Sequence, residues 1–267
     1  MADNRPIGVF DSGVGGLTVL REIHKTLPGE STIYVGDTAR VPYGTKTAEQ
    51  LLEYACEIID FLLEQDVKAV VIACGTSSAV TYEKLRKLYP DLVLVDVIRP
   101  GVKTKIDGNI GLIATTATIR SGLFLRLLQE ENRKQNIIAR ACPLFASMVE
   151  AGLSPTHPAV KFAAEAYLGD LKGKIDSLVL GCTHYPLLAD TLRQVVGDIR
   201  LIDIGETCAV ALKKRLEHSA ASGVPSYKYY VTGAGEHFRA IGSKIMGQAL
   251  ECESLVNPIP RRHSPGQ

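Results

Sequence analysis

Short apolar runs rich in valine and isoleucine alternate with longer amphipathic segments along this whole chain, and that alternation restricts the fold more than any other feature. The short runs are apolar throughout, not on every second residue. Such strands are buried on both faces, so the pattern predicts parallel sheets covered by helices. RPIGVF (5–10), STIYVG (31–36), KAVVIA (68–73) and DLVLVDV (91–97) read as strands. Between them, GGLTVLREIHKTL (15–27), TAEQLLEYACEIIDFLLEQ (47–65) and SSAVTYEKLRKLY (77–89) read as helices. The first carries Leu17, Leu20, Ile23, His24 and Leu27 on one face, and Thr47 is placed to cap the second.

The pattern pauses at RPGVKTKIDGN (99–109), which is polar and rich in turn residues, and then restarts. Strands are predicted at 109–114, 135–141, 176–181 and 199–204, with helices at 118–131, 143–152, 157–171 and 186–196. A helix (206–220), a strand (227–233), a helix (235–247) and a last strand (251–258) follow, and PIPRRHSPGQ (258–267) reads as a loose tail. So many strands are too many for one sheet. The expected fold is therefore α/β with two pseudo-symmetric lobes, each a mostly parallel sheet flanked by helices and with the active site in the cleft between them.

Two strands share an unusual ending. VVIACGTSSAV (70–80) stops at Cys74, Gly75 and Thr76, and LVLGCTHYPLL (178–188) stops at Cys182, Thr183 and His184. Ligands of open α/β sheets bind beyond the C-terminal strand ends. If the two lobes face each other there, both cysteines line one cleft.

Six cysteines occur, at 56, 74, 142, 182, 208 and 252, with no CxxC among them. A cysteine at the end of a buried strand is ordinarily a small hydrophobe, and Cys56, Cys142, Cys208 and Cys252 read that way. Cys74 and Cys182 differ, because each is followed by hydroxyl or glycine positions where a helix begins. A helix N-terminus favours the thiolate.

Several chemistries compete for these residues. A thiol hydrolase needs one cysteine and a base; Cys182 and His184 supply that and leave Cys74 idle. Zinc wants further ligands at close spacing, which are missing. A zinc deaminase needs H-x-E with P-C-x-x-C, which is missing too, and a redox pair usually shows C-x-x-C. Stereochemical inversion remains: one thiol removes a proton from one face of a carbon and the other returns a proton to the opposite face.

FDSGVGGLTVL (10–20) follows the first strand, but its glycines do not match GxGxxG, and no Gly-Lys-Ser/Thr occurs. What remains is a tight turn into a helix N-terminus, whose free N–H groups suit a carboxylate. Asp11 on its own reads as a turn or capping residue. VGDTARVPYGTKT (35–47) crowds Asp37, Arg40, Pro42, Tyr43 and Gly44 into one loop, which also reads as a structural proline turn.

Taken in order, DSGVGG, YVGDTARVPYG, ACGTSSA, CPLF followed by Glu150, and GCTHYPLL resemble the glutamate racemase family, over about residues 5–256. The resemblance implies cofactor-independent interconversion of L- and D-glutamate, without metal or nucleotide, for peptidoglycan precursor synthesis. It implies that Cys74 serves the D-enantiomer and Cys182 the L-enantiomer, that Asp11 sits beside Cys74, and that Glu150 and His184 assist Cys182. Ser12, Tyr43, Gly44, Thr76, Thr118 and Thr183 would hold the carboxylates and ammonium of the substrate, with Pro42 and Gly75 beside them.

The resemblance further implies that the C-terminal segment returns to the first lobe. That gives one lobe of residues 1–98 plus 207–267 and another of 99–206. A homodimer and an activating cell-wall precursor, found in some members, are expectations of the same kind. Three positions depart from the family. Gly75 replaces a usual asparagine, Asp203-Ile204 replaces Asp-Ser, and Phe124 stands where tyrosine is common. The first puts substrate affinity in question and leaves the thiol chemistry in place. The competing functions are an aspartate or broad-specificity racemase and a non-catalytic dicarboxylate binder.

Composition excludes other classes. A net charge of +1 and the lack of tryptophan argue against a nucleic-acid partner. The N-terminus has no apolar signal core, and no apolar stretch has the length of a membrane span. A cytoplasmic protein is expected, with its cysteines reduced.

Overall fold

The computed structural model describes residues 2–218, 221–255 and 259. The first half-chain comprises β1 (Ile7–Asp11), α1 (Gly16–Thr26), β2 (Thr32–Gly36), α2 (Ala48–Glu64), β3 (Ala69–Ile72), α3 (Gly75–Leu88), β4 (Val93–Asp96) and α4 (Ile98–Val102). Next come β5 (Ile110–Ala114), α5 (Thr116–Arg120), α6 (Leu123–Glu131), β6 (Ile137–Ala141), α7 (Pro143–Glu150), α8 (Pro158–Leu168), β7 (Ser177–Leu180), α9 (Ala189–Val196) and β8 (Arg200–Asp203). The chain closes with α10 (Ile204–Arg215), β9 (Tyr227–Val231), α11 (Gly235–Met246) and β10 (Glu253–Ser254).

Two all-parallel sheets result, in the orders β10-β9-β2-β1-β3-β4 and β6-β5-β7-β8. The order β2-β1-β3-β4 repeats as β6-β5-β7-β8, so the two lobes share one design. The α/β fold with two helix-flanked parallel sheets is the one the alternation predicted. β1, β2, β3, β5 and β7 are buried along their full length, which is why they read as unbroken apolar runs. One apolar core runs through both lobes, from Val9 and Leu17 to Leu112, Phe124 and Val179, and a second lies on the other face of the first sheet, among Phe10, Ile58, Ile59 and Ile72. α10 carries the chain back from β8 by packing on α1 and α4, and β9 then pairs with β2.

Caps explain several boundaries. Thr47 closes a capping box with Gln50 on α2, as its position in the sequence suggested. Asp203 caps α10 through Gly205 N–H at 2.7 Å, and Thr115 caps α5 through Thr118 N–H at 3.3 Å.

Four details differ from the sequence expectation. The helix expected at 77 begins at Gly75, which makes Cys74 its N-cap. The helix expected over 118–131 is two helices, because Gly122 adopts a left-handed conformation (φ 65°) between them. The segment expected as a plain crossover contains α4. Residues 185–188 form a 3₁₀ turn ahead of α9. The predicted tail lies, apart from Ile259, outside the described residues. So do the ends of the helix expected to reach 220 and of the strand expected to reach 258. No described helix is long and apolar enough to cross a membrane.

Candidate active site

The repeated strand order fixes where the two sulfurs stand. In each sheet the strand order reverses between the first and third strands of the unit, opening a crevice between their tips. Ala73 N–H donates to Phe10 O at 2.9 Å, extending β3 against β1, and Gly181 N–H donates to Ile113 O at 2.7 Å, extending β7 against β5. One residue further on stand Cys74 and Cys182, at equivalent positions of the two lobes. Both are nearly buried, with 6% and 5% exposure, and both line one cavity of about 390 Å³.

Asp11, Ser12, Pro42, Tyr43, Gly44, Gly75, Thr76, Thr183 and His184 line the same cavity. Two sequence candidates stand behind the wall. Thr118 reaches the Thr115 hydroxyl at 3.0 Å, and Glu150 reaches His184. The lining also includes Thr115, Thr116, Arg120, Pro143, Ala146 and Ser147, which sequence reasoning did not select. Their signal was present: TTAT follows β5 at the place where Ser12 and Gly13 follow β1, so a hydroxyl-rich strand tip faces the cleft from the second lobe.

Polar contacts join the lobes at this seam. Thr183 donates to Asp11 Oδ2 at 2.8 Å, and Thr18 donates to Thr183 O at 2.9 Å. Val14 N–H donates to Glu150 Oε1 at 3.0 Å, and the Thr76 and Thr115 hydroxyls lie 2.9 Å apart. Within the first lobe Asp11 Oδ1 accepts from the Ser12 hydroxyl at 2.9 Å and from Gly13 N–H at 3.3 Å. Tyr43 donates to Asp37 at 2.5 Å, and Asp37 also holds Arg40 and Thr232. That buried network pins the 37–44 loop and with it the Tyr43 wall of the cavity. The structural side of the two readings of this loop is therefore real, and the loop still faces the cleft.

The two thiols have different polar neighbours. Burial pushes the Cys74 thiol well above its ordinary range, and the Asp11 carboxylate pushes it further; the N–H groups of Ser77 and Thr76 at the start of α3 pull the other way and lose. On the other wall Cys182 Sγ lies 3.5 Å from His184 Nδ1, and His184 Nε2 lies 2.6 Å from Glu150 Oε1. Burial opposes an imidazolium at His184, but contact with Cys182 and Glu150 outweighs it and raises the histidine well above its usual value. Burial likewise works to raise Glu150, and the hydrogen bond and charge of His184 turn the balance so that its pKa falls. Asp11 is raised, by burial first, with His184, Thr183 and Ser12 offsetting part of it.

A relay of Cys182, His184 and Glu150 by itself suits nucleophilic hydrolysis as well as proton transfer. The second, equivalent sulfur in the same cavity is what hydrolysis leaves without a role. Among the described residues no group of three His, Cys, Asp or Glu side chains stands close enough to hold a metal ion.

Residues 7–212 match the family model Asp/Glu/Hydantoin racemase. The chain is 41% identical to a glutamate racemase of Streptococcus mutans, over 95% of this chain and 99% of that one. It superimposes with a TM-score of 0.87, at 35% identity, on the Francisella tularensis glutamate racemase solved in complex with D-glutamate, covering 95% of this chain and 98% of that one. The Escherichia coli glutamate racemase, solved with L-glutamate and the activator UDP-MurNAc-Ala, superimposes with a TM-score of 0.78 at 29% identity, covering 93% of this chain and 97% of that one. With the family model covering most of its length and both cysteines at equivalent strand tips, the chain belongs to the Asp/Glu/Hydantoin racemase family.

Proposed function

We propose that this chain is a glutamate racemase, an isomerase that interconverts L- and D-glutamate with two thiols and no cofactor. The observation that carries the reading is the pair Cys74 and Cys182, at equivalent tips of two related sheets, in the wall of one cavity. Near-full-length likeness to glutamate racemases favours glutamate over the aspartate and dicarboxylate-binder alternatives.

In the L-to-D direction Cys182, as thiolate, takes the α-proton from one face of the substrate and becomes a thiol. Cys74, as thiol, gives its proton to the opposite face and becomes a thiolate. One proton is consumed and one supplied, so the product differs only in hand, and the two sulfurs have exchanged protonation states. Solvent resets them after release. In the D-to-L direction the roles reverse.

The settings of the two sulfurs fit that starting state. Burial first, and then Asp11, keep Cys74 protonated, and the imidazolium of His184, held by Glu150, lies against Cys182. Carbanion character is met by donors aimed at the substrate carboxylates in a site that excludes bulk water. Ser12, Tyr43, Gly44, Thr76 and Thr183 are assigned to that work in the wall, with Thr118 orienting Thr115 from behind; Pro42 shapes the rim.

The lobes are assigned as residues 1–98 plus 207–267 and residues 99–206. Supply of D-glutamate for peptidoglycan in the cytoplasm, and a homodimer, complete the reading. For regulation by a cell-wall precursor, a second cavity of about 710 Å³ between β4, α4, β8 and α10 has the needed charge, because Arg86, Arg99, Lys103, Arg200, Lys214 and Arg215 outnumber Asp96, Asp203 and Glu206 in its wall. A rate unchanged by a nucleotide-linked precursor would remove that regulation from the reading. The test of the function is a chiral assay of purified protein, without added cofactor, on L-glutamate and L-aspartate side by side. Inversion of glutamate at a rate well above aspartate is expected. No inversion, with tight binding of either ligand, would leave a dicarboxylate binder.

A further inference from the structure

The glycine-rich turn after β1 meets the relay behind Cys182 across the seam between the lobes. Val14 N–H donates to Glu150 Oε1 at 3.0 Å, and His184 Nε2 lies 2.6 Å from the same oxygen. The carboxylate seated on this turn is thus the protein's own. The glycines on either side of Val14 have no room for a side chain. A Cβ on Gly13 would overlap Glu150 Oε1 and lie 2.8 Å from Cδ and 3.0 Å from Oε2. A Cβ on Gly15 would lie 2.5 Å from both Cε1 and Nδ1 of His184 and 2.7 Å from Thr183 Oγ1. Carbon atoms pack best at about 3.5–4.0 Å, so the ring would have to retreat by about 1 Å. Both of its nitrogens are engaged, Nδ1 at 3.5 Å from Cys182 Sγ and Nε2 on Glu150, so it cannot retreat without loosening one of them. The backbone does not need glycine at either place. Gly15 has φ −58° and ψ −41°, a helical conformation open to any residue, and Gly13 has no positive φ. Gly16 differs, since its Cβ would meet Asp11 and Tyr34 of its own lobe, with Tyr34 Oη at 2.6 Å. Space for the relay is therefore what Gly13 and Gly15 provide.

We infer that Gly13 and Gly15 are positioning residues: with the N–H of Val14 they form a socket on the first lobe that seats Glu150 and His184 of the second, so that the relay at Cys182 is complete only where the two lobes meet. The effect on rate rests on the racemase reading, whereas the seating is read without turnover. The titratable groups that face the imidazole are Cys182, Glu150 and Asp11, with His237 beyond Glu150. Contact with Cys182 and Glu150 raises the histidine against the effect of burial. A methyl group in the socket parts the ring from one of these partners, and His184 then loses its proton at lower pH.

The experiment compares the native chain with Gly13→Ala, Gly15→Ala, Glu150→Gln and the double variant Gly13→Ala with Glu150→Gln. Long-range proton–nitrogen NMR spectra of the imidazoles, with His184 identified by its loss in His184→Gln, follow its protonation across a pH series. In both glycine variants that titration is expected to move to lower pH. On L-glutamate, kcat/KM is expected to fall by about 10- to 100-fold, with the basic limb of its pH profile following the titration. Added to Glu150→Gln, Gly13→Ala should cost at most about twofold more, because the charge it displaces is already gone. A folded glycine variant with the native His184 titration would overturn the inference, and so would losses that multiply in the double variant. Failure of both glycine variants to fold would assign these glycines to folding and not to the relay, and would overturn it too. A native chain that inverts nothing would instead end the racemase reading, and the His184 titration alone would then decide the seating.

Discussion

The hydroxyl of Thr183, next to one cysteine, donates a 2.8 Å hydrogen bond to Asp11, a carboxylate that acts on the other cysteine. The bond crosses from the second lobe to the first inside a fully buried seam, where the carboxylate has no solvent to stabilise it. Asp11 therefore links the two halves of the site. Its charge is partly met by Thr183 and Ser12, and what remains acts on the Cys74 thiol.

Asp11→Asn should shift Cys74 toward the thiolate at lower pH. A neighbouring negative charge disfavours a second one, so its removal lowers the thiol pKa, and burial, the larger cause, keeps the shift partial. Alkylation of Cys74 by iodoacetamide, followed by peptide mass spectrometry across a pH series, should begin at lower pH in the variant. An unchanged profile would show that Asp11 is not ionised beside the thiol.

Cys74→Ser and Cys182→Ser should each lower racemisation by about 10³-fold or more, because a positioned acid or base contributes about 10²–10⁴-fold and serine offers no usable base near neutral pH. The exchange of one sulfur for one oxygen leaves the packing in place, so the thermal midpoint should move little. Full inversion by either variant would end the two-thiol mechanism. Survival of hydrolytic activity in Cys74→Ser alone would revive the relay of Cys182, His184 and Glu150 as a hydrolase.

Most of the fold was legible because every buried parallel strand writes an unbroken apolar run, and the positions of Cys74 and Cys182 followed from those runs. What was not legible depended on contacts between lobes. Thr115 and Thr116 face the cleft only because β5 occupies in its sheet the place of β1 in the other, and strand order is a three-dimensional fact. The break at Gly122 was hidden because Ile119 before it and Leu123 and Leu127 after it keep a helical spacing across it. The close approach of Gly75 to Gly181 O was invisible for the same reason as the strand order, since the two are far apart in the chain. The early start of α3 was a local miss: Gly75 and Thr76 looked like a loop, yet they form the first turn whose N–H groups face the sulfur.

Glu150→Gln should move the basic limb of the pH–rate profile to lower pH. Cys182 and Glu150 together raise His184, Glu150 through a 2.6 Å contact, and a neutral amide removes the carboxylate's share. His184 then loses its proton earlier as pH rises, and with it the positive charge facing Cys182. A fall in kcat/KM of about tenfold near neutral pH is expected. Because the two enantiomers have equal free energy in solution, kcat/KM must fall equally in both directions, whereas kcat need not. Profiles measured from L- and from D-glutamate check both statements, and a basic limb that stays in place would remove Glu150 from the relay.

The return of the C-terminal strand to the first lobe should make stability sensitive to mild acid through His24. The imidazole, on α1, lies 2.9 Å from the Thr32 hydroxyl and stacks on Tyr227 of β9 with ring centroids 4.0 Å apart. Burial lowers its pKa from 6.5 to about 4. Between those two values the unfolded chain holds a proton on this histidine that the folded chain does not. Protons therefore favour unfolding in that window: the contribution of His24 is complete above pH 6.5 and is lost as pH falls toward 4. After discounting for the solvent that reaches the ring, the loss is about 1–2 kcal/mol, or roughly 2–8 °C in a chain of this size. His24→Gln removes the titration, so its thermal midpoint should fall less than the native one between pH 6.5 and pH 4.5. Parallel curves for the two proteins would mean that the stacked ring accepts a proton without leaving Tyr227.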